Sequence, residues 1–403
     1  MRRRVAFLSL HTCPLLQPGR GWAGGMNVYI DELARALARD GFHVDVFTRR
    51  HDRESEPSVA VEPGFVVHHV DAGPRREIDP GHAVRFVGVF ADEVMDRLRT
   101  DGWPLVVHSH YWLSGWAGLK IKRETALPHV HSSHTLGRVT QAMTSDAPTP
   151  GHLVRLAAER DVIGEADVVI ASTEQERSDL IMQYGAHPDA VNVIWPGVDH
   201  DLFVPGVGKS AKIRLGWPSV PTLLFAGRIQ ALKGPDVAIE AMAFLMGDMP
   251  DLRLVIVGAP AGSHGTRDLD RLQKRAKALD LGSRVTFADP VPHRRIADVY
   301  RASDLVMVPS RSESFGLVAA EAQACGVPVL AASVGGLASV VGPGSGGLLV
   351  QGWDGPDWAA AARRVLGERG LATDLATRGP LWAERFSWES AVDRLARVYD
   401  ALG

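Results

Sequence analysis

Cysteine is nearly absent from this chain of 403 residues. Cys13 and Cys325 are the whole complement, they lie far apart, and neither belongs to a Cys-x-x-Cys pair. This argues against a disulfide scaffold and against a cysteine zinc site. An excess of one charge is missing too: 44 Lys and Arg stand against 47 Asp and Glu, for a formal net charge of −3. A nucleic-acid binder would carry a basic surplus, so the expected partner is a small molecule and not a nucleic acid. No apolar run approaches the ~18 residues of a membrane span. Met1-Arg-Arg-Arg4 ahead of Val5–Leu10 superficially looks like a secretory leader, but the apolar stretch is short and His11 and Thr12 end it. It reads instead as a buried first strand, and a cytoplasmic protein is expected.

What the chain does contain is an alternation. Val5–Leu10, His43–Thr48, Phe65–His69, Leu105–His108, His129–Ser133 and Val168–Ala171 read as strands in the first half. Leu223–Ala226, Leu254–Val257, Arg284–Ala288, Leu305–Val308 and Val329–Ala331 do so in the second. Helical patterns lie between them, including Asn27–Asp40, Gly234–Met246, Asp268–Leu279 and Phe315–Cys325. Buried apolar strands alternating with amphipathic helices predict α/β architecture with parallel sheets covered on both faces. The length suits two domains of roughly 200 residues. Proline and glycine crowd after Trp195 without helical period. The expected division is therefore 1–195, a linker at 196–217, a second domain at 218–380, and a terminal segment 381–403 containing a helix over Trp388–Ala401.

The chemistry gathers at strand ends. Glu313-Ser-Phe-Gly-Leu-Val-Ala-Ala-Glu321 follows the strand Leu305–Val308 and the turn Pro309-Ser-Arg-Ser312, and opens a helix. Gly316 permits close backbone approach. The amides of Ser314, Phe315, Gly316, Leu317 and Val318 would stand at a helix N-terminus, which favours phosphate. The two carboxylates lie about 80° apart around the helix and about 12 Å apart along it. Alone, the segment reads equally well as a helix start decorated with two surface glutamates. Arg228 and Lys233 follow the strand Leu223–Ala226, at the edge where open α/β sheets bind ligands, and suit a diphosphate leaving group. In the first half, Gly24 and Gly25 precede a helix and would let amides approach a phosphate. Gly19, Gly21 and Gly24 also spell a dinucleotide fingerprint, but eight residues separate Leu10 from Gly19, whereas that fingerprint needs a tight turn. His108-Ser-His-Tyr-Trp-Leu-Ser-Gly115 and Ser133-His134-Thr135 close two successive strands, and one His-x-His there is a weak metal signal.

Gly227-Arg228 with Lys233-Gly234, followed by Glu313 to Glu321 with Phe315-Gly316, resembles the donor site of the family-4 retaining glycosyltransferases. The resemblance covers essentially the whole chain, with the motifs in the expected order. It implies the GT-B architecture, two Rossmann-like domains facing a cleft, with the last helix returning to the first domain. It implies that Arg228 and Lys233 clamp the nucleotide diphosphate, that Glu313 contacts the transferred sugar, and that Glu321 holds the ribose. His134 would contact the sugar 6-hydroxyl and not act as a general base. No metal and no cofactor are implied beyond a UDP-sugar co-substrate.

Gln17-Pro-Gly, Gly24-Gly-Met-Asn-Val-Tyr29, His134-Thr-Leu136 and Glu321-Ala-Gln-Ala-Cys-Gly326 are similar to the branch that moves N-acetylglucosamine onto inositol phosphate. That likeness puts Asn27, Tyr111, Thr135 and Arg155 around the acceptor. It also implies a lysine shortly after Ala72-Gly-Pro74, where this chain reads Arg75-Arg-Glu-Ile-Asp-Pro-Gly-His82. Arg75, Arg76 or Arg85 stand as substitutes, although arginine and lysine differ in geometry. Asp79 would repel a phosphate. Two acceptors stay open: inositol phosphate, and a non-phosphorylated compound such as an aminocyclitol. A homodimer stays open as well. Competing readings are a nucleotide-sugar epimerase and a non-catalytic sugar-nucleotide-binding protein.

Overall fold

The computed structural model describes residues 3–143, 147–261 and 265–403. The chain forms two compact units. One comprises Met1–Leu16, Gly25–Gly197 and Trp388–Gly403; the other comprises Gln17–Gly24 and Val198–Ser387. Three boundaries differ from the sequence expectation. Residues 198–217 are part of the second unit and not a linker: they include the helix Gly208–Leu215, whose Ala211 is fully buried. Lys212 and Arg214 tie that helix down through Asp304 at 2.8 Å and Asp298 at 2.6 Å. Residues 381–387 also stay with the second unit, since the helix Arg369–Ala383 runs through Pro380. The glycine-rich loop Gln17–Gly24 belongs there too, held by Gln17 Nε2 donating to the Val291 carbonyl at 2.6 Å and by Ala259 N donating to the Gly19 carbonyl at 3.1 Å.

The first unit has an eight-stranded sheet: β1 (Arg4–Leu8), β2 (His43–Arg49), β3 (Ser58–Glu62), β4 (Phe65–Val70), β5 (Val106–His110), β6 (His129–Ser132), β7 (Val168–Ala171) and β8 (Val191–Val193). The spatial order is β3-β4-β2-β1-β5-β6-β7-β8. Only the edge hairpin β3–β4 is antiparallel among its pairings; the others are parallel. The strand period of two sends Val5 and Phe7 into one apolar cluster and Ala6 and Leu8 into another, so both faces are sealed. Sequence reading missed β3 and β8. The first is a half-exposed edge and the second has three residues, too few to show a pattern.

The helix Trp388–Leu402 completes this unit. Trp388, Ala391, Val392, Leu395, Ala396 and Tyr399 are buried, a stripe at helical spacing, and all six join the cluster that contains Val5, Phe7 and Leu33.

The second unit has six strands: β9 (Thr222–Ala226), β10 (Arg253–Val257), β11 (Val285–Ala288), β12 (Leu305–Val308), β13 (Val329–Ala332) and β14 (Gly347–Val350). Their order is β11-β10-β9-β12-β13-β14, all parallel. In each sheet the order of connection reverses once beside the first strand, between β1 and β5 and between β9 and β12. Such a reversal opens a crevice at the carboxyl ends of the strands, where α/β proteins take their ligands. No helix among the described residues is long and apolar enough to cross a membrane.

Leu395→Ala is expected to destabilise the first unit by about 2–5 kcal/mol. Hydrogen exchange should show β1 and β5 losing protection while β9 and β12 keep theirs; equal loss in both sheets would contradict a helix that belongs to the first unit alone.

Candidate active site

In the second unit the reversal lies between β9 and β12, and the residues singled out from the sequence leave from those two strands. The chain after β9 carries Arg228 and Lys233; the chain after β12 carries Ser310 and Glu313. Lys233 Nζ meets Glu313 Oε2 at 2.6 Å, and Ser310 Oγ donates to the same oxygen at 3.2 Å. This pair is partly buried, with 26% and 19% of the two side chains exposed, so an incoming anion can compete for the ammonium. Gly24 lies against Arg228: a Cβ at that position would stand 3.1 Å from Arg228 Nε. The loop and the arginine therefore share one corner of the second unit.

Gly316 caps the helix Leu317–Ala324 with φ of 110°, a conformation suited to glycine, and as a glycine it brings no side chain to the first amides of that helix. Phe315 is buried with its ring edge-on to Phe386 at 5.2 Å, so it anchors the turn from below. Leu317 and Val318 are half-buried. Glu321 is buried. Its Oε2 accepts from Tyr300 OH at 2.7 Å, and His293 Nε2 lies 3.1 Å from Oε1. Burial, then the adjacent Glu321 charge, pushes the Tyr300 phenol well above its ordinary range, so it stays a donor. Each carboxylate oxygen retains a second lone pair for a ligand.

Sequence reasoning missed three supports here. Tyr300 and His293 sit on another helix, at no motif spacing from Glu321. Arg311, within the turn already noted, pairs with Asp236 at 2.8 Å and accepts no role from the sequence alone. Its backbone N–H donates to the Leu232 carbonyl at 2.8 Å and its Nη1 to the Ala231 carbonyl at 2.6 Å, bracing the turn that carries Lys233.

In the first unit the reversal lies between β1 and β5. Tyr111, directly after β5, has φ of 74°, and His134, just after β6, has φ of 60°. Left-handed backbone at two bulky residues is strained, and such strain persists where surrounding contacts over-determine it. Tyr111 is held by its N–H donating to the Ser132 carbonyl at 2.9 Å and by the His11 ring 4.5 Å away, and His134 by His110 and Tyr29, which belong to a wider lattice of imidazoles. His108 Nδ1 meets Tyr399 OH at 2.7 Å and its Nε2 meets Ser132 Oγ at 2.9 Å. His110 Nδ1 lies 3.0 Å from His134 Nε2, and Tyr29 stands edge-on to the His134 ring at 4.9 Å. Ser109 Oγ bridges His129 Nε2 at 2.7 Å and His131 Nδ1 at 2.9 Å. Burial depresses all five: His129 and His134 to about 3, and His108, His110 and His131 well below their ordinary value. A neutral ring of that basicity can hydrogen-bond but is too weak to take a proton from a sugar hydroxyl. No group of three or more His, Cys, Asp or Glu among the described residues could hold a metal ion.

Tyr111, Thr135 and Arg155 come together. Arg155 Nη2 donates to the Thr135 carbonyl and to Thr135 Oγ1, each at 3.0 Å, and the guanidinium lies 5.2 Å from the centre of the Tyr111 ring. Asn27 is buried; its amide donates to Thr12 Oγ1 at 2.9 Å and to the Cys13 carbonyl at 2.6 Å, fixing the loop after β1. The other arginines do not join this group. Arg75 spends Nε and Nη2 on Asp71, both at 2.9 Å, and Arg76 is exposed. Neither touches Tyr111, Thr135 or Arg155 among the described residues. With Arg53 and Pro74 they line a cavity of about 600 Å³. Arg85 is exposed, and Asp79 caps the helix Pro80–Ala83 by accepting from Gly81 N at 2.8 Å. Arg49, which sequence reading passed over, is buried and holds this loop by donating to the Pro74 and Arg76 carbonyls, each at 2.6 Å.

Comparison with known proteins bears on both units. Residues 23–202 match the family described as Glycosyltransferase Family 4, and residues 213–382 match Glycosyl transferases group 1. A D-inositol 3-phosphate glycosyltransferase from Rhodococcus jostii is 44% identical, over 98% of this chain and 89% of that protein. D-inositol 3-phosphate glycosyltransferase 2 from Catenulispora acidiphila is 45% identical, over 98% and 94%. Among solved structures, a sucrose-phosphate synthase from Thermosynechococcus elongatus is 31% identical with a TM-score of 0.91, covering 100% of this chain and 99% of that one. Anabaena Alr3699/HepE in complex with UDP and glucose shares the fold at 20% identity, with a TM-score of 0.78 over 99% and 100%.

The neutral histidines set a pH dependence of stability. Below the ordinary value near 6.5, unfolded histidines take up protons that the folded ones refuse, so stability falls with pH from about 6.5 toward about 3, by about 1.4 kcal/mol per pH unit for each histidine. Urea unfolding at pH 7.5 and 5.5 should show the first unit weakening at the lower pH, with proton uptake on unfolding. A flat profile would mean these rings are not held neutral.

Proposed function

Since this chain belongs to the family-4 glycosyltransferases and has their GT-B fold, we propose that this enzyme moves N-acetylglucosamine from UDP-N-acetylglucosamine to a hydroxyl of inositol phosphate, with retention. The observation that carries the acceptor is the Arg155 guanidinium fixed beside Thr135 and over Tyr111: one cation with two hydroxyls suits a phosphate. Relatives 44% and 45% identical, named for D-inositol 3-phosphate, support it. On the donor side, Arg228 and Lys233 take the diphosphate together with the uncapped helix start at Gly316. Glu313 then receives a sugar hydroxyl, and Glu321, steadied by Tyr300 and His293, receives the ribose.

The chemical step follows from these roles. The bond between the anomeric carbon and the β-phosphate oxygen breaks while the acceptor oxygen bonds that carbon from the same face. The acceptor's proton passes to the departing phosphate oxygen, so no side-chain base is needed. Charge grows on the diphosphate, and the two cations with the backbone amides stabilise it, the largest single contribution to rate. The neutral His134 holds the sugar 6-hydroxyl. Neither a metal nor a cofactor enters the scheme.

One observation favours a second acceptor class. Asp71 engages Arg75, and Asp79 lies on the same loop, so the segment 71–79 is less cationic than a phosphate site wants. Under that reading the acceptor is a non-phosphorylated cyclitol.

Mass spectrometry of products from UDP-N-acetylglucosamine and UDP-glucose, each crossed with inositol phosphate, inositol and an aminocyclitol, decides between them. Product from inositol phosphate alone is expected. Product from unphosphorylated cyclitols alone would overturn the acceptor, and conversion of the UDP-sugar without transfer would mark an epimerase. Arg228→Ala and Lys233→Ala should each lower kcat by about 10²-fold or more, with activity surviving EDTA. Unchanged rates would remove the donor assignment.

A further inference from the structure

Arg155 does not stand alone. Glu159, one turn along the same helix Pro150–Glu165, is 1% exposed, and its carboxylate is bonded to Arg155 and to the backbone that follows Thr135. Oε1 accepts from Arg155 Nε at 2.7 Å. Both oxygens lie within reach of Gly137 N, at 3.1 and 2.9 Å, and Oε2 also accepts from Tyr184 OH. Tyr184 OH in turn accepts from Arg138 N at 2.9 Å. One buried carboxylate therefore fastens the guanidinium at its inner edge and the backbone at residues 137 and 138, directly after Thr135.

We propose that Glu159 is the positioning residue for the acceptor phosphate: it aims Arg155 and sets the path of Thr135–Gly137, without touching substrate itself. This rests on the acceptor reading above and deepens it.

The geometry shows why the work falls to this side chain. A guanidinium has three donor edges. Glu159 takes Nε, Thr135 takes Nη2, and Nη1 has no partner among the described residues, so the arginine is held by two edges with the third left for a ligand. A lysine could not be aimed this way, since its ammonium is a point charge on a free stem. Gly137 completes the fit. A Cβ there would fall 2.8 Å from Glu159 Oε2 and 3.2 Å from Arg155 Nε, so any larger residue would push the carboxylate and the guanidinium apart. Burial also matters. A carboxylate removed from water needs its donors, and here they are a charged guanidinium, a phenol and an amide, which lock its rotamer as it locks theirs. Fixing a recognition group through a buried partner is what gives such a site its tolerance of a few tenths of an ångström.

The test compares Glu159→Gln, Glu159→Asp and Arg155→Ala in the full-length enzyme, with UDP-N-acetylglucosamine and inositol phosphate. Glutamine presents an N–H₂ where either Arg155 Nε or Tyr184 OH now donates, while Gly137 N can bond whichever position keeps the oxygen, so the guanidinium or the phenol loses its acceptor and Arg155 loses its counter-charge in both cases. The expected result for Glu159→Gln is a KM for inositol phosphate about tenfold higher or more, with the donor KM and the slow hydrolysis of the donor unchanged. A merely structural role would lower the melting temperature and the active fraction, and hence kcat, without moving the acceptor KM; that result overturns the proposal. Glu159→Asp keeps the charge but withdraws it by one methylene. It should give a smaller rise of the same kind, and it carries the test if the glutamine variant does not fold. Arg155→Ala separates the two levels of inference. A raised acceptor KM there with unchanged values in both Glu159 variants removes the positioning role and leaves the acceptor site standing. An unchanged acceptor KM in Arg155→Ala removes the acceptor reading itself.

Discussion

A parallel sheet imposes one constraint from which the rest of this molecule follows. Every strand leaves its sheet on the same edge, and both faces must be covered, so functional groups can emerge only at the carboxyl ends. Where strand order reverses, the neighbouring connections part to opposite faces and leave backbone at that edge uncovered. In the second unit this happens between β9 and β12, and the chains leaving those strands bring Lys233 onto Glu313 across 80 residues of sequence. In the first unit it happens between β1 and β5, and the same rule puts the loop carrying Thr12 and Cys13 and the left-handed Tyr111 at strand ends.

The two ends solve the problem of burial differently. In the second unit the chemistry is ionic and half-open, with charged groups paired to one another until a ligand replaces a partner. In the first unit much of the polar surface is neutral and sealed. Five histidines, three hydroxyls of Ser109, Ser132 and Tyr399, and the Tyr29 ring form a lattice of uncharged contacts. Desolvation excludes protons from that lattice more cheaply than counter-charges would, because uncharged groups need only hydrogen bonds. The charges that lie beside it come as neutralising pairs, Arg155 with Glu159 and Lys122 with Asp167.

How much of this was written legibly in the sequence depends on the range of the interaction. Strands that are short unbroken apolar runs, such as Val5 to Leu8 and Leu254 to Val257, were visible because both of their faces are buried. The edge strand Ser58–Glu62 was not, since half of it faces solvent. The helix Gly208–Leu215 was hidden among glycines and prolines, and the buried Ala211 with the ion pairs to Asp298 and Asp304 shows what holds it. Donor-side residues were found because their types recur at strand ends in a known order. Their supports were not: Arg311, Tyr300 and His293 act across the fold, and no spacing in the chain announces a partner that folding alone brings near. The loop Gln17–Gly24 was placed with the first domain by sequence order, whereas its hydrogen bonds to Ala259 and Val291 assign it to the second unit.

The helix Trp388–Leu402 carries a consequence for synthesis. His108 is bonded to Tyr399, 291 residues later, and β1 rests on side chains that are made only after the whole second unit. The first unit is thus the earlier translated and the later finished. While residues 198–387 are being made, its central sheet has an open apolar face, waiting for sixteen residues that close it. A nascent chain halted short of Trp388 would expose that face to chaperones and proteases, so synthesis through Trp388–Leu402 is itself a condition for a folded first unit.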